Sequence, residues 1–334
     1  ELRVRRAFHS ATLLKSAVAG GPQRVLITGG ITLINSERLE ATRLGEIFDP
    51  ATGAFTVHLL EMRKARYGHT ATLLISGDVL VAGGGELAGG QLVTSGLGPD
   101  ELQVSTVHAD ADLFRFSESA PRFEPSTVTM SQPRIFHAAG RGSGNLVLVA
   151  GGQSTTGVHQ TTEVYNPSAG AAGSFGAGAD LVEPRTLANM TRLGNGLLLI
   201  SGGLNTIGTP SSASAGVERY SLGDAAPGEV AMAPVGSRLV SARYRHQAVI
   251  LSDSQQVLIV GGLSDAGFTR TNAERISDAS PTEDLANAGG RVYHDVVRLL
   301  SGDVLQVGGV NRPSGGGAQS VLEGTLYTPI LVGD

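Results

Sequence analysis

The chain of 334 residues contains no cysteine and no tryptophan, and of its 25 basic residues only Lys15 and Lys64 are lysine. Without cysteine there is no disulfide and no thiolate metal centre, and the redox compartment stays undecided. No apolar stretch reaches the length of about 20 residues that a spanning helix needs. The net charge is −5 with no basic stripe, which argues against nucleic-acid binding. Catalytic signatures are missing as well: there is no G-x-S-x-G elbow, no H-E-x-x-H and no acidic calcium loop. Gly83-Gly84-Gly85 superficially suggests a phosphate cradle, yet no GxGxxG opens a helix and no lysine follows. The first residue is Glu1 rather than methionine, from which removal of a leader or tether is expected.

What the chain does have is glycine, 47 residues, about twice the usual share. The glycines fall in a pattern. Arg6, Arg66, Arg134, Arg185, Arg243 and Arg291 each stand three residues ahead of a slot filled by His9, His69, His137, Ala188, His246 and His294. A Gly-Gly pair then closes the following apolar run, at Gly29-Gly30, Gly83-Gly84, Gly151-Gly152, Gly202-Gly203, Gly261-Gly262 and Gly308-Gly309. The arginine lies 17 residues before the first glycine in four of the six copies, and 18 and 23 in the others. A fixed internal spacing that recurs along the whole chain means one structural unit copied around an axis.

Each copy reads as a hairpin. In the second, Thr70–Leu74 and Val79–Ala82 flank Ser76-Gly77-Asp78. Runs such as Leu197–Ile200 and Val257–Val260 are apolar at every position, so these strands are expected to be buried on both faces. A loop follows each glycine pair, and then a third strand: Glu46-Ile47-Phe48-Asp49-Pro50, Glu163-Val164-Tyr165-Asn166-Pro167 and Thr325-Leu326-Tyr327-Thr328-Pro329, with weaker copies at Asp112, Glu218 and Glu274. Proline ends it because it cannot donate to a ladder. Fourth strands are legible at Phe55–Leu60 and Glu229–Met232. The expected fold is all-β: one six-bladed propeller of four-stranded antiparallel blades over residues 1–334, its sixth blade completed by Glu1–Val4 with Ile330–Val332.

The Arg-x-x-His start, the Gly-Gly end of the second strand and the acidic-x-aromatic-Asp/Asn-Pro third strand resemble the kelch repeat, in the style common among bacterial surface and secreted proteins. Kelch repeats usually carry an outer tryptophan, and this chain has none. Phe55, Phe123 and Phe175 are expected to take its place, with no substitute in blades five and six.

The six arginines suit two roles. They form an anion-binding ring, since guanidinium forks match carboxylate and phosphate, or they fasten each blade to the next. Glu46, Asp112, Glu163, Glu218 and Glu274 supply one acid in five of the six copies, and that matching favours fixed inter-blade pairing. The histidines are expected to donate to backbone at the strand start rather than hold a metal. No catalytic residue, metal or cofactor is expected. Individuality lies in the loops Ile31–Gly45, Gly85–Ala109 and Leu204–Gly216.

The resemblance implies a non-catalytic module that presents loops to a protein or glycan, as a monomeric propeller, by itself or within a larger protein. It also implies a secreted, periplasmic or surface location, with no membrane insertion. The alternative is a carbohydrate-active, isomerase-like enzyme with its site at the channel mouth. Residues that depart from the repeat there are Asp295, Tyr244 and Arg245. A galactose-oxidase chemistry is excluded, because it needs a cysteine joined to a tyrosine.

Overall fold

A computed structural model describes residues 2–15, 21, 23–34, 38–55, 60–89, 102–117, 120–124, 128–207, 212–222, 230–233 (backbone only), 238–251, 256–277, 282–285, 289–314, 317–321 and 323–328. Every regular element among them is a β-strand, so no helix is long and apolar enough to cross a membrane. The chain divides into two compact units. The first holds Glu1–Arg141, Asn145–Gly178 and Ala226–Gly228; the second holds Gly142–Gly144, Ala179–Ala225 and Glu229–Asp334.

Unit 1 is built on three antiparallel sheets. Sheet 1 runs Ser10–Leu14, Arg24–Thr28, Leu44–Asp49, Ala54–Phe55, with Leu60–Glu61 also on the third strand. Sheet 2 runs Thr70–Leu73, Val79–Ala82, Ala111–Arg115, Arg122–Glu124, and sheet 3 runs Ala138–Arg141, Val147–Ala150, Thr162–Asn166, Ser174–Ala177. Unit 2 repeats the plan. Sheet 4 is Asn189–Arg192, Leu198–Ser201, Val217–Leu222, Val230–Ala233, and sheet 5 is Gln247–Ile250, Val257–Val260, Ala273–Ile276, Glu283–Leu285. Sheet 6 has three strands among the described residues, Asp295–Arg298, Val304–Val307 and Thr325–Tyr327.

The apolar second strands are why these sheets stack. Val79–Ala82, Val147–Ala150, Leu198–Ser201 and Val257–Val260 are buried at every position, as the apolarity of all but Ser201 predicts. Leu14, Leu26 and Ile47 of sheet 1 pack with Val79, Val81 and Phe114 of sheet 2, and Leu80 and Leu113 with Val147 and Tyr165 of sheet 3. In unit 2, Leu199 and Val217 pack with Val257 and Ile259, and Leu258 and Val260 with Val304. The sixth sheet departs from the expectation: Val307 is exposed, Leu305 half-buried, and Val297 and Leu326, beside Leu305 in register, are 51% and 56% exposed.

The three outer phenylalanines each face an aromatic of the third strand. Phe55, Phe123 and Phe175 lie directly across from Phe48, Phe114 and Tyr165, with ring centroids 5.0, 5.2 and 5.1 Å apart. Such tilted pairs add about 0.5–1.5 kcal/mol beyond their buried area.

The amides of Arg3 and Val4 donate to the carboxylate of Glu46, at 2.8 and 3.3 Å. Glu1 and Ile330–Val332 lie outside the described residues. The loops after the glycine pairs are largely short ribbons. Ile31–Ile34 pairs with Arg38–Ala41, Gly85–Leu87 with Val104–Val107, Gln153–Ser154 with Gly157–Val158, Leu204–Thr206 with Ser212–Ala213, and Val310–Asn311 with Gln319–Ser320. Ile31, Leu87 and Leu102 meet Tyr67 and Ile135 in an apolar cluster of their own, and that burial is what gives the unit 1 ribbons their order.

Candidate functional site

The spacing of 17 residues has a direct cause. In every copy one guanidinium nitrogen, Nη1, donates to the carbonyl of the first glycine of its own pair, at 3.1 Å for Arg6, 2.6 Å for Arg66 and Arg134, 2.8 Å for Arg185, 2.9 Å for Arg243 and 3.3 Å for Arg291. The same nitrogen also reaches a carbonyl just ahead of the third strand, such as Thr161, Gly216 or Asn272. Nη2 meets the acid of that strand: Glu46 at 2.6 Å, Asp112 at 2.9 Å, Glu163 at 2.9 Å, Glu218 at 2.6 Å and Glu274 at 2.5 Å. In sheet 6 the hydroxyl of Thr325 takes the acid's place.

Both partners of each pair belong to one repeat. The arginine therefore staples its own sheet and does not fasten it to the next, which corrects the inter-blade expectation. The acid does a second job. Glu163 accepts from the amides of Ser131 and Gln132, Glu218 from Val182, and Glu274 from Val240 and Ser241, so the carboxylate also anchors the connecting segment that delivers the arginine. A ligand that sought these guanidinium groups would have to displace bonds on which each sheet depends.

Breaking one partner of a buried, hydrogen-bonded pair costs about 3–5 kcal/mol, because the other charge stays buried. Glu274→Gln is accordingly expected to lower the unfolding free energy measured in urea by an amount in that range, with a matching fall in the midpoint. An unchanged midpoint would mean that Arg243 has other compensation.

Histidine makes the joint between sheets. The ring of His69 in sheet 2 lies against Gly29 of sheet 1, His137 of sheet 3 against Gly83, His246 of sheet 5 against Gly202, and His294 of sheet 6 against Gly261. The carbonyls of Arg66, Arg134, Arg243 and Arg291 accept from the amides of Gly30, Gly84, Gly203 and Gly262 at 2.9 Å. These first glycines have φ of 58–66° and no room for a side chain. Nε2 of His69 bonds the Thr28 hydroxyl at 3.0 Å, that of His137 the Thr70 hydroxyl at 2.8 Å and that of His246 the Ser201 hydroxyl at 2.9 Å, and backbone groups lie within bonding reach of the His69, His137 and His294 rings as well. Burial, reinforced by the neighbouring arginine, pushes His137 and His246 down to about 3, His294 to about 4, and His69 well below its ordinary value.

Between arginine and histidine lies a backbone feature that hydrophobicity does not reveal. The residue after the arginine bridges the ribbon, as in Tyr67 with Gly85 or Tyr244 with Leu263, and the next residue is left-handed in all six copies. That slot holds Phe8, Gly68, Phe136, Leu187, Arg245 and Tyr293, with φ of 55–62°. A side chain in this conformation costs roughly 1–2 kcal/mol relative to ordinary backbone, yet only one copy uses glycine. In unit 1 the slot is apolar, with Phe136 edge-on to Tyr67. In unit 2 Leu187 is apolar too, but Arg245 and Tyr293 bring polar groups to the slot. The guanidinium carbon of Arg245 lies 4.9 Å from the centre of the Tyr293 ring, and that of Arg312 lies 5.8 Å from it. This cluster departs from the repeat and is the candidate site.

The other sequence candidates sit apart from it. Asp295 accepts from the neighbouring Val296 amide, and Tyr244 is buried in its bridge with Leu263. Sheet 2 has its own departure: Lys64 pairs with Asp110 at 2.8 Å, Asp110 also meets Arg66 at 3.1 Å, and His108 lies 3.3 Å from Glu86. Its charges are mutually satisfied. Among the described residues no three His, Asp or Glu side chains are placed to hold a metal ion.

No family model matches the sequence, and no curated protein matches it either. Similar solved structures exist, among them that of YjhT, with a TM-score of 0.60 and 13% identity over 84% of each chain. At that identity the likeness shows the fold alone, all-β and propeller-like.

Proposed function

We propose that the chain is a six-bladed kelch-type propeller acting outside the cytoplasm as a non-catalytic binding module, with the ribbon side of its blades presented to a protein or glycan. One observation carries this reading. The repeated arginines, acids, histidines and glycines are engaged in holding strands and sheets, whereas the Arg245–Tyr293–Arg312 cluster departs from the repeat. An isomerase needs an acid or base set apart near the channel, and neither Asp295, tied to its own strand, nor buried Tyr244 is suited to that work.

The test is retention. The isolated chain, immobilised and exposed to extracellular proteins and to a glycan array, is expected to hold a partner at micromolar concentration. Retention of nothing would remove the binding reading. Faster exchange of a sugar's anomeric proton signal in its presence would replace that reading with the enzymatic one.

A further inference from the structure

The sixth repeat lacks its acid, and we propose that Arg291, Thr325 and Gln306 there bind the carboxylate of a small organic anion. In the other five repeats the guanidinium already holds a carboxylate of the third strand, which a ligand would have to displace. Arg291 instead donates through Nη1 to the carbonyls of Gly308 and Glu323, at 3.3 and 2.7 Å, and through Nη2 to the hydroxyl of Thr325. None of the ion pairs among the described residues includes it. Arg291 is nonetheless only 5% exposed. A positive charge is therefore buried without a counter-charge, and an anion placed beside it relieves that cost.

A second change accompanies the first. In the other repeats the residue across from the acid on the second strand is aliphatic, as Ile259 is opposite Glu274 and Val149 opposite Glu163. In the sixth, Gln306 stands opposite Thr325, on the face of sheet 6 that Val304 turns to sheet 5. Gln306 is 3% exposed, and its amide nitrogen is buried with no hydrogen-bond partner among the described residues. A buried donor of this kind is costly until an acceptor meets it. The Thr325 hydroxyl, which accepts from Arg291, keeps its own hydrogen to donate. Guanidinium, hydroxyl and amide thus offer donors around the position where the repeat otherwise places an acid.

The position is also reachable. Glu46, Asp112, Glu163, Glu218 and Glu274 are buried, whereas Thr325 is half-buried. The segment ahead of the arginine, whose amides bond the acid in other repeats, is open here. A methyl group on the exposed Gly289 would have Nε of Arg291, at 4.0 Å, as its nearest neighbour among the described residues. An anion entering beside Gly289 and Thr325 meets the guanidinium without displacing a strand. One cation with a hydroxyl and an amide suits a planar monoanion, the group that the equivalent arginines hold, better than a phosphate with its larger charge and more numerous oxygens.

Acetate is the probe, with chloride and phosphate at matched ionic strength and neutral acetamide as controls. Binding is read at neutral pH from the melting temperature against concentration, and from saturable broadening of the acetate methyl signal. Acetate is expected to raise the melting temperature of the unmodified chain in a saturable manner, beyond any of the controls. Thr325→Glu supplies the acid that the other repeats carry, so it should raise the melting temperature by itself and weaken acetate binding about tenfold or more. Gln306→Leu restores an aliphatic partner and should weaken binding at least about threefold. The melts confirm folding, and if Thr325→Glu fails to fold, Gln306→Leu decides. No saturable acetate effect, an equal effect of chloride or phosphate, or undiminished binding by Gln306→Leu would overturn the proposal. Retention of a protein or glycan tests the surface reading above and is independent of this result.

Discussion

Gly261→Ala is expected to cost at least about 3 kcal/mol, whereas Gly308→Ala, at the equivalent position of the next repeat, is expected to cost about 1 kcal/mol. Both glycines have φ of 66°, so the conformational penalty is shared. The surroundings differ. A methyl group at Gly261 would meet the Arg291 carbonyl far inside van der Waals contact and Cε1 of His294 at 2.6 Å, while one at Gly308 would meet nothing within 4 Å among the described residues. The first must push a backbone oxygen and a buried imidazole out of place, and with them the joint between sheets 5 and 6. Urea denaturation of the two variants measures the difference. Equal damage from the two substitutions would show that crowding by the Arg291 carbonyl and the His294 ring is not what sets the cost at Gly261.

Acid should unfold the protein well above the range where carboxylates titrate. His69, His137, His246 and His294 are neutral in the folded chain because burial, and then the adjacent arginine, disfavours their protonation. In the unfolded chain they take up protons below pH about 6.5. The unfolded state then binds more protons, so this stabilising contribution is fully present above pH about 6.5. It is lost as the pH falls towards folded-state values of about 3 for His137 and His246 and about 4 for His294. Each histidine removes about 1.4 kcal/mol per pH unit once the pH is well below 6.5. Together they remove roughly 5–8 kcal/mol between pH 7 and 5, comparable with the whole stability of many domains. Urea melts at pH 7, 6 and 5 would show the slope, and His137→Ala, which copies the alanine found naturally at Ala188, should reduce it. A stability flat across that interval would show that the imidazoles are not sequestered.

Much of the scaffold was legible because it repeats. Apolar runs located the strands, the phenylalanines located the outer strand, and near one-to-one matching of arginine with acid anticipated the buried pairs. Partner choice was harder. Arginine and histidine stand three residues apart, and spacing alone does not say which side chain turns back into its own sheet and which turns to the neighbour. The left-handed residue between them decides this, and Phe8, Phe136, Leu187, Arg245 and Tyr293 are not residue types whose presence signals positive φ. The ribbon strands span only two to four residues, too short for periodicity to register in the sequence.

The candidate site shows the same division. Arg245 could be singled out as a departure from the repeat, but Tyr293 and Arg312 are 48 and 67 positions further along, and nothing in the order of residues joins them. By itself the sequence determined the strand content, the repeat and the pairing of buried charge, because these are local periodicities and compositional necessities. The tertiary structure alone decided which repeat each charge serves, which ring closes each joint and which cations share a surface. Those depend on backbone direction at single residues, and one change of φ sends a side chain to a different sheet.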